Sequence, residues 1–155
     1  MKIVEITTHF NTPPDRIWEE VNKPGLLLFV ARPFIRFEPV EPQKLPDRWR
    51  EEDYVFRIWL FGALPLGRQT IGISRPTKKG NSRELRDTGH SALIKRWDHL
   101  ISVEADGDGT RYTDRIEIDA GFVTLAVAAF ARRFFAHRQR RWQILVKSGF
   151  DYTQP

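Results

Sequence analysis

The end of the chain sets the tightest limit on what it can fold into. Residues 120–149 contain no proline and are rich in alanine, arginine, leucine and phenylalanine, so they read as one long helix. At about 100° per residue, Val123, Ala126, Val127, Phe130, Phe134, Ile144 and Leu145 fall on one stripe. Gly149 supplies a C-terminal stop. The region before this helix reads differently. Residues 54–61, 67–75, 83–89, 92–104 and 110–119 are apolar or alternating runs, separated by turns at 62–65, 76–81 and 105–109. Short strands joined by tight turns imply an antiparallel meander. A sheet of this size followed by one amphipathic helix must bury a face against that helix.

The first third completes the pattern. Residues 2–10 alternate and read as a strand with neither face cleanly apolar. Asn11-Thr12-Pro13-Pro14 ends it, and proline suits the first turn of the helix that follows over 15–21. Lys23-Pro24-Gly25 separates that helix from a second short one at 26–31. A strand over 32–40 and a proline-rich loop over 39–46 come next. The apolar run Leu26-Leu27-Leu28-Phe29-Val30 serves either as a lid over a pocket mouth or as a core helix on the sheet edge.

Composition narrows the class. A chain of 155 residues suits one domain, residues 1–155, with a substantial core. There is no cysteine, so no disulfide, which fits a reducing compartment. The opening residues lack the apolar core of a signal peptide, and no stretch approaches the roughly eighteen apolar residues of a membrane span. A cytoplasmic protein with no integral membrane segment is expected. The net charge of +5 lies largely in residues 132–147 among interspersed acids, which suits a solvated helix face better than a nucleic-acid contact.

Three segments carry a resemblance. They are Phe10-Asn11-Thr12-Pro13-Pro14-Asp15-Arg16-Ile17-Trp18, Arg96-Trp97-Asp98-His99, and Gly109-Thr110-Arg111-Tyr112-Thr113-Asp114-Arg115-Ile116, followed by the arginine-rich closing helix. With the element order, they make the chain resemble the START-like, or helix-grip, superfamily (SRPBCC). That superfamily includes polyketide cyclases, birch-pollen-allergen-like proteins and coenzyme-Q-binding proteins. The resemblance covers nearly the whole chain. It implies an α+β helix-grip fold: a seven-stranded antiparallel sheet curved around the long C-terminal helix, two short helices after the first strand, and a cavity between sheet and helix. It implies no single activity, because such folds host binders and enzymes alike.

Recognisable catalytic motifs are missing. The sequence has no nucleophile elbow, no phosphate-binding glycine loop and no HExxH. His9, His90, His99 and His137 lack metal-ligand spacing, so neither a metal nor another cofactor is expected. The informative residues are polar ones predicted to point inward. In the last strand Tyr112 and Asp114 share the face of Ile116 and Ile118. In the strand before it Trp97 and His99 share the face of Ile101 and Val103.

Hairpin register decides whether His99 meets Asp114. A turn at Asp106-Gly107 pairs them directly, and a turn at Asp108-Gly109 pairs His99 with Ile118. The first is favoured because it gives a buried aspartate a partner. On the helix, His137 and Arg141 lie within about 20° of Phe130. Arg141 then grips a ligand carboxylate or phosphate with His137 beside it, pairs internally with Asp114 or Glu5, or reaches out past the helix end.

Tyr54, Phe56, Trp97, Tyr112, Phe130 and Phe134 are candidates to line an apolar pocket, or else an ordinary filled core. Three functions follow, in order. The first is binding or transport of a small apolar ligand (lipid, quinone or polyketide-like) by a monomer or homodimer. The second is a cyclase, aromatase or dehydratase with His99 as base, Asp114 orienting it and Arg141 polarising a carbonyl. The third, ranked last, is a basic surface module built on Arg132, Arg133, Arg138, Arg140 and Lys147.

Overall fold

The computed structural model describes residues 1–76 and 80–155. In chain order its elements are β1 (Lys2–Phe10), α1 (Pro14–Val21), α2 (Pro24–Ala31), β2 (Ile35–Glu41), β3 (Asp53–Leu60), β4 (Leu64–Ser74), β5 (Arg83–Ser91), β6 (Arg96–Asp106), β7 (Gly109–Asp119) and α3 (Thr124–Lys147), with a 3₁₀ turn, Gly121–Val123, leading into α3. The turn expected over 76–81 falls largely outside the described residues. The strands form one antiparallel sheet in the order β1-β7-β6-β5-β4-β3-β2. Register shifts between Pro39 and Glu41 in β2 and between Ile58 and Trp59 in β3 bend this half of the sheet. The fold is the α+β helix-grip: α3 lies across the inner face against β1 and β7, and α2 packs on α3.

Local chemistry sets the boundaries. Pro14 occupies the first turn of α1, where a missing N–H is harmless. At the end of α3 Gly149 takes φ 71°. The Phe150 N–H donates to Leu145 O at 2.8 Å and the Gly149 N–H to Val146 O at 3.1 Å. This paired arrangement satisfies carbonyls that the helix leaves open. No described helix is long and apolar enough to cross a membrane.

Two expectations are corrected. Neither weighed register of the β6–β7 hairpin occurs. Asp106 pairs with Gly109, so the turn is Gly107-Asp108 and His99 lies opposite Ile116. Gly107 has φ 60°, and glycine at the first turn position suits the twist of a two-residue hairpin. The helix is also rotated from its expected phase. Its buried stripe runs through Ala131, Phe134, Phe135, Arg138, Trp142 and Leu145, with Thr124, Gln139 and Arg141 also buried, while Ile144 is 42% exposed. Arg132 and Arg140 are exposed. The centre of the buried stripe is Arg138, about 80° from Phe130 on the wheel.

Candidate functional site

A pocket of about 380 Å³ lies between the inner face of the sheet and α3. Its walls are mostly aliphatic and aromatic, with Ile71 and Ile73 from β4, Leu85 from β5, Ile101 from β6, and Phe130 and Phe134 from α3. Leu66 and Leu93 belong to the lining and are also exposed, so the pocket reaches the surface beside them. Leu26 and Leu27 of α2 contribute wall as well. Leu26, Phe29 and Val30 are buried, so α2 is a fixed part of the core rather than a free flap.

Polar groups in this wall are few: Lys23, Gln69, Asp87, His99 and Arg138. Strand alternation places them. Gln69 follows the inward face of Ile71 and Ile73, Asp87 that of Leu85, and His99 that of Ile101.

Behind His99 stands a closed network. Its Nε2 lies 2.8 Å from Asp114 Oδ1. Tyr112 donates to the same oxygen at 3.0 Å, and Gln139 Nε2 donates to Asp114 Oδ2 at 3.1 Å and to Ile6 O at 2.7 Å. Burial pushes the Asp114 carboxyl up. The His99 hydrogen bond, the Arg138 charge and the Gln139 amide outweigh it and hold the group below the usual carboxylate range. For His99 burial dominates, and the imidazole sits below its ordinary value despite Asp114. A neutral imidazole beside an ionised carboxylate donates from Nε2. Nδ1 is then left as an acceptor with no described protein partner.

Arg138 is in the opposite condition. It is only 6% exposed, its Nε is buried with no hydrogen-bond partner, and no described carboxylate forms an ion pair with it. Its contacts are ring faces, with the guanidinium carbon 4.6 Å from the Phe135 centroid and 5.8 Å from that of Phe134. Asp87 shares the wall, and its Oδ1 is buried without a partner. Burial pushes the Asp87 carboxyl up to about 8, against the opposing pull of the Gly72 amide and of Arg138.

The expected site residues divide. Trp97, His99, Phe130 and Phe134 line the pocket. Tyr112 and Asp114 stand behind His99, outside the lining. Tyr54 and Phe56 are fully buried in the core below it, where the Tyr54 hydroxyl accepts the Arg50 N–H at 2.9 Å and Phe56 meets Phe37 edge-on at 5.6 Å. His137 turns away and donates to Arg32 O at 2.6 Å. Arg141 is buried over the Phe29 ring at 4.1 Å, and it bonds Phe29 O and Pro155 O. Neither the Asp114 nor the Glu5 partner expected for Arg141 is found. The rotation of α3 explains this, because it turns Arg141 towards α2 and puts Arg138 in the middle. The same rotation removes Arg138 from the basic surface module.

The family model described as Domain of unknown function (DUF8410) matches residues 8–145. The chain belongs to that family. Every pocket-lining residue of this DUF8410 protein lies inside the matched span. No curated protein matches the sequence. Solved structures with the same fold include a START superfamily protein from Mycobacterium smegmatis, 13% identical over 94% of this chain and 97% of that one, with a TM-score of 0.62. A second M. smegmatis protein is 15% identical over 95% and 92%, with a TM-score of 0.67. A Chromobacterium violaceum protein is 13% identical over 93% and 96%, with a TM-score of 0.64. These likenesses make the fold START-like.

Sequence reasoning missed Gln69, Asp87 and Arg138. Their signals were present. Gln69 and Asp87 each sit two residues from an inward aliphatic, and Arg138 is four residues from both Phe134 and Trp142.

Proposed function

We propose that the chain acts as a single START-like domain, residues 1–155, that takes up a small apolar molecule of the lipid, quinone or polyketide type. It does so in the cytoplasm, as a monomer or homodimer. The pocket carries this reading: a largely apolar space of about 380 Å³ between sheet and helix, with a few polar groups converging on it, suits a ligand of that class. Native mass spectrometry of protein purified from cells, followed by titration with a hydrophobic fluorescent dye, tests it. The expected result is a bound apolar molecule or saturable dye uptake at one per chain, with uptake blocked in Ala126→Trp, which fills the wall at the start of α3. An empty protein that takes up no dye overturns the reading.

One observation favours a second reading, an acid–base enzyme of the cyclase or dehydratase type. His99 lines the pocket while Asp114 holds its Nε2, a pairing that suits a general base and its orienting group. Arg141 does not line the pocket, so carbonyl polarisation would fall to Arg138. Turnover of a polyketide-like substrate that vanishes in His99→Phe, with dye uptake retained, would favour this reading over simple binding.

A further inference from the structure

We infer that the pocket selects apolar molecules ending in a carboxylate, and that Arg138 is the anchor for that end. This rests on the ligand-binding reading above and adds the chemical class. Burying a cation in an apolar wall without a counter-charge is costly, so a buried cation is ordinarily paired. Arg138 is buried, unpaired and part of the wall, with Nε lacking any described partner.

Among the described residues no carboxylate forms a direct ion pair with it, although Asp114 and Asp87 feel its charge. Asp114 already accepts from His99, Tyr112 and Gln139. Asp87 forms no ion pair with Arg138 and leaves its own Oδ1 unmatched. The free fork of a guanidinium fits the two oxygens of a carboxylate side by side. Asp87, held protonated by burial, adds an O–H donor on the same wall. A phosphate dianion fits less well: one guanidinium cannot satisfy it, and Asp114 is a fixed negative charge nearby. The rest of the lining is apolar and receives the hydrocarbon body of the acid.

Dye displacement by decanoate, decanol and decylamine distinguishes the parts of this idea. In the natural protein decanoate should bind about tenfold or more tighter than decanol, and decylamine weakest. Arg138→Met should abolish the preference while still binding decanol, and Arg138→Lys should retain part of it. If decanoate and decanol bind equally, or the preference survives in Arg138→Met, the anchor is wrong although the pocket stands. If the natural protein binds none of the three and no dye, the pocket reading itself fails and the anchor falls with it.

Discussion

Strands β5 and β6 carry charges on both faces, and the two faces treat them in opposite ways. On the outer face Arg86 holds Asp98 at 2.8 Å, and Arg96 reaches both Asp98 and Glu117 at 3.3 and 2.7 Å. Arg115 closes the row on Glu117 at 2.6 Å. The Arg86 hydrogen bond keeps the Asp98 carboxyl below the usual range. One residue along, Asp87 faces inward with an unpartnered oxygen, opposite an Arg138 that has no ion pair. Outside, even the buried Asp98 is matched, by two half-exposed arginines. Inside, unmatched charge is expensive, so a chain that keeps it has sacrificed stability for something other than the fold.

In the His99–Asp114 network the buried carboxylate is fully partnered, and breaking it should cost most. Asp114→Ala strands three donors at once, and urea unfolding should show a loss of about 3–5 kcal/mol. A loss under about 1 kcal/mol would mean that the network is not formed in solution.

Next in size is a contrast of sign. Arg138→Met removes a buried cation that has no direct ion pair and should raise the unfolding free energy of the ligand-free protein. Arg86→Met, on the outer face, leaves the buried Asp98 with Arg96 alone and should lower it by about 1.5–3 kcal/mol. Equal effects in the same urea series would erase the distinction between the faces.

The remaining effect is a slope with pH, modest within any one pH unit. The Asp87 carboxyl is raised to about 8 in the folded protein from 3.8. Between those values the unfolded chain releases a proton that the folded chain keeps, so stability falls as pH rises through this window. The slope reaches at most about 1.4 kcal/mol per pH unit. Below the window Asp87 is protonated in both states and contributes nothing. Thermal melts between pH 5 and 8 should show this decline, and Asp87→Asn should flatten it. An unchanged slope would assign it to another group.

The fold was legible in the sequence because its signals are local and repeated. Alternation in β7 identified Tyr112, Asp114, Ile116 and Ile118 as one face, and all four are buried. The meeting of His99 and Asp114 was legible too, although the register was not. Both turns weighed put glycine second, and the chain uses Gly107 first. The contact survives because diagonal neighbours on one face still reach each other across a strand pair. The phase of α3 was misread for a physical reason. The stripe was fitted to the apolar residues, which centre on Phe130, so the cation at its true centre, Arg138, was left outside. Periodicity reports where apolar residues cluster, and it is silent where function places a charge among them.

The pairing of β1 with β7 also governs how the molecule is made. Lys2 sits against Ile118 and Phe10 against Thr110, so β1 finds its partner only across a separation of 100 to 116 residues. Contacts of such long sequence separation slow folding, because loop closure must precede the reward. On the ribosome, β1 therefore waits unpaired until the last hairpin emerges, and the sheet against which α3 packs is completed only then.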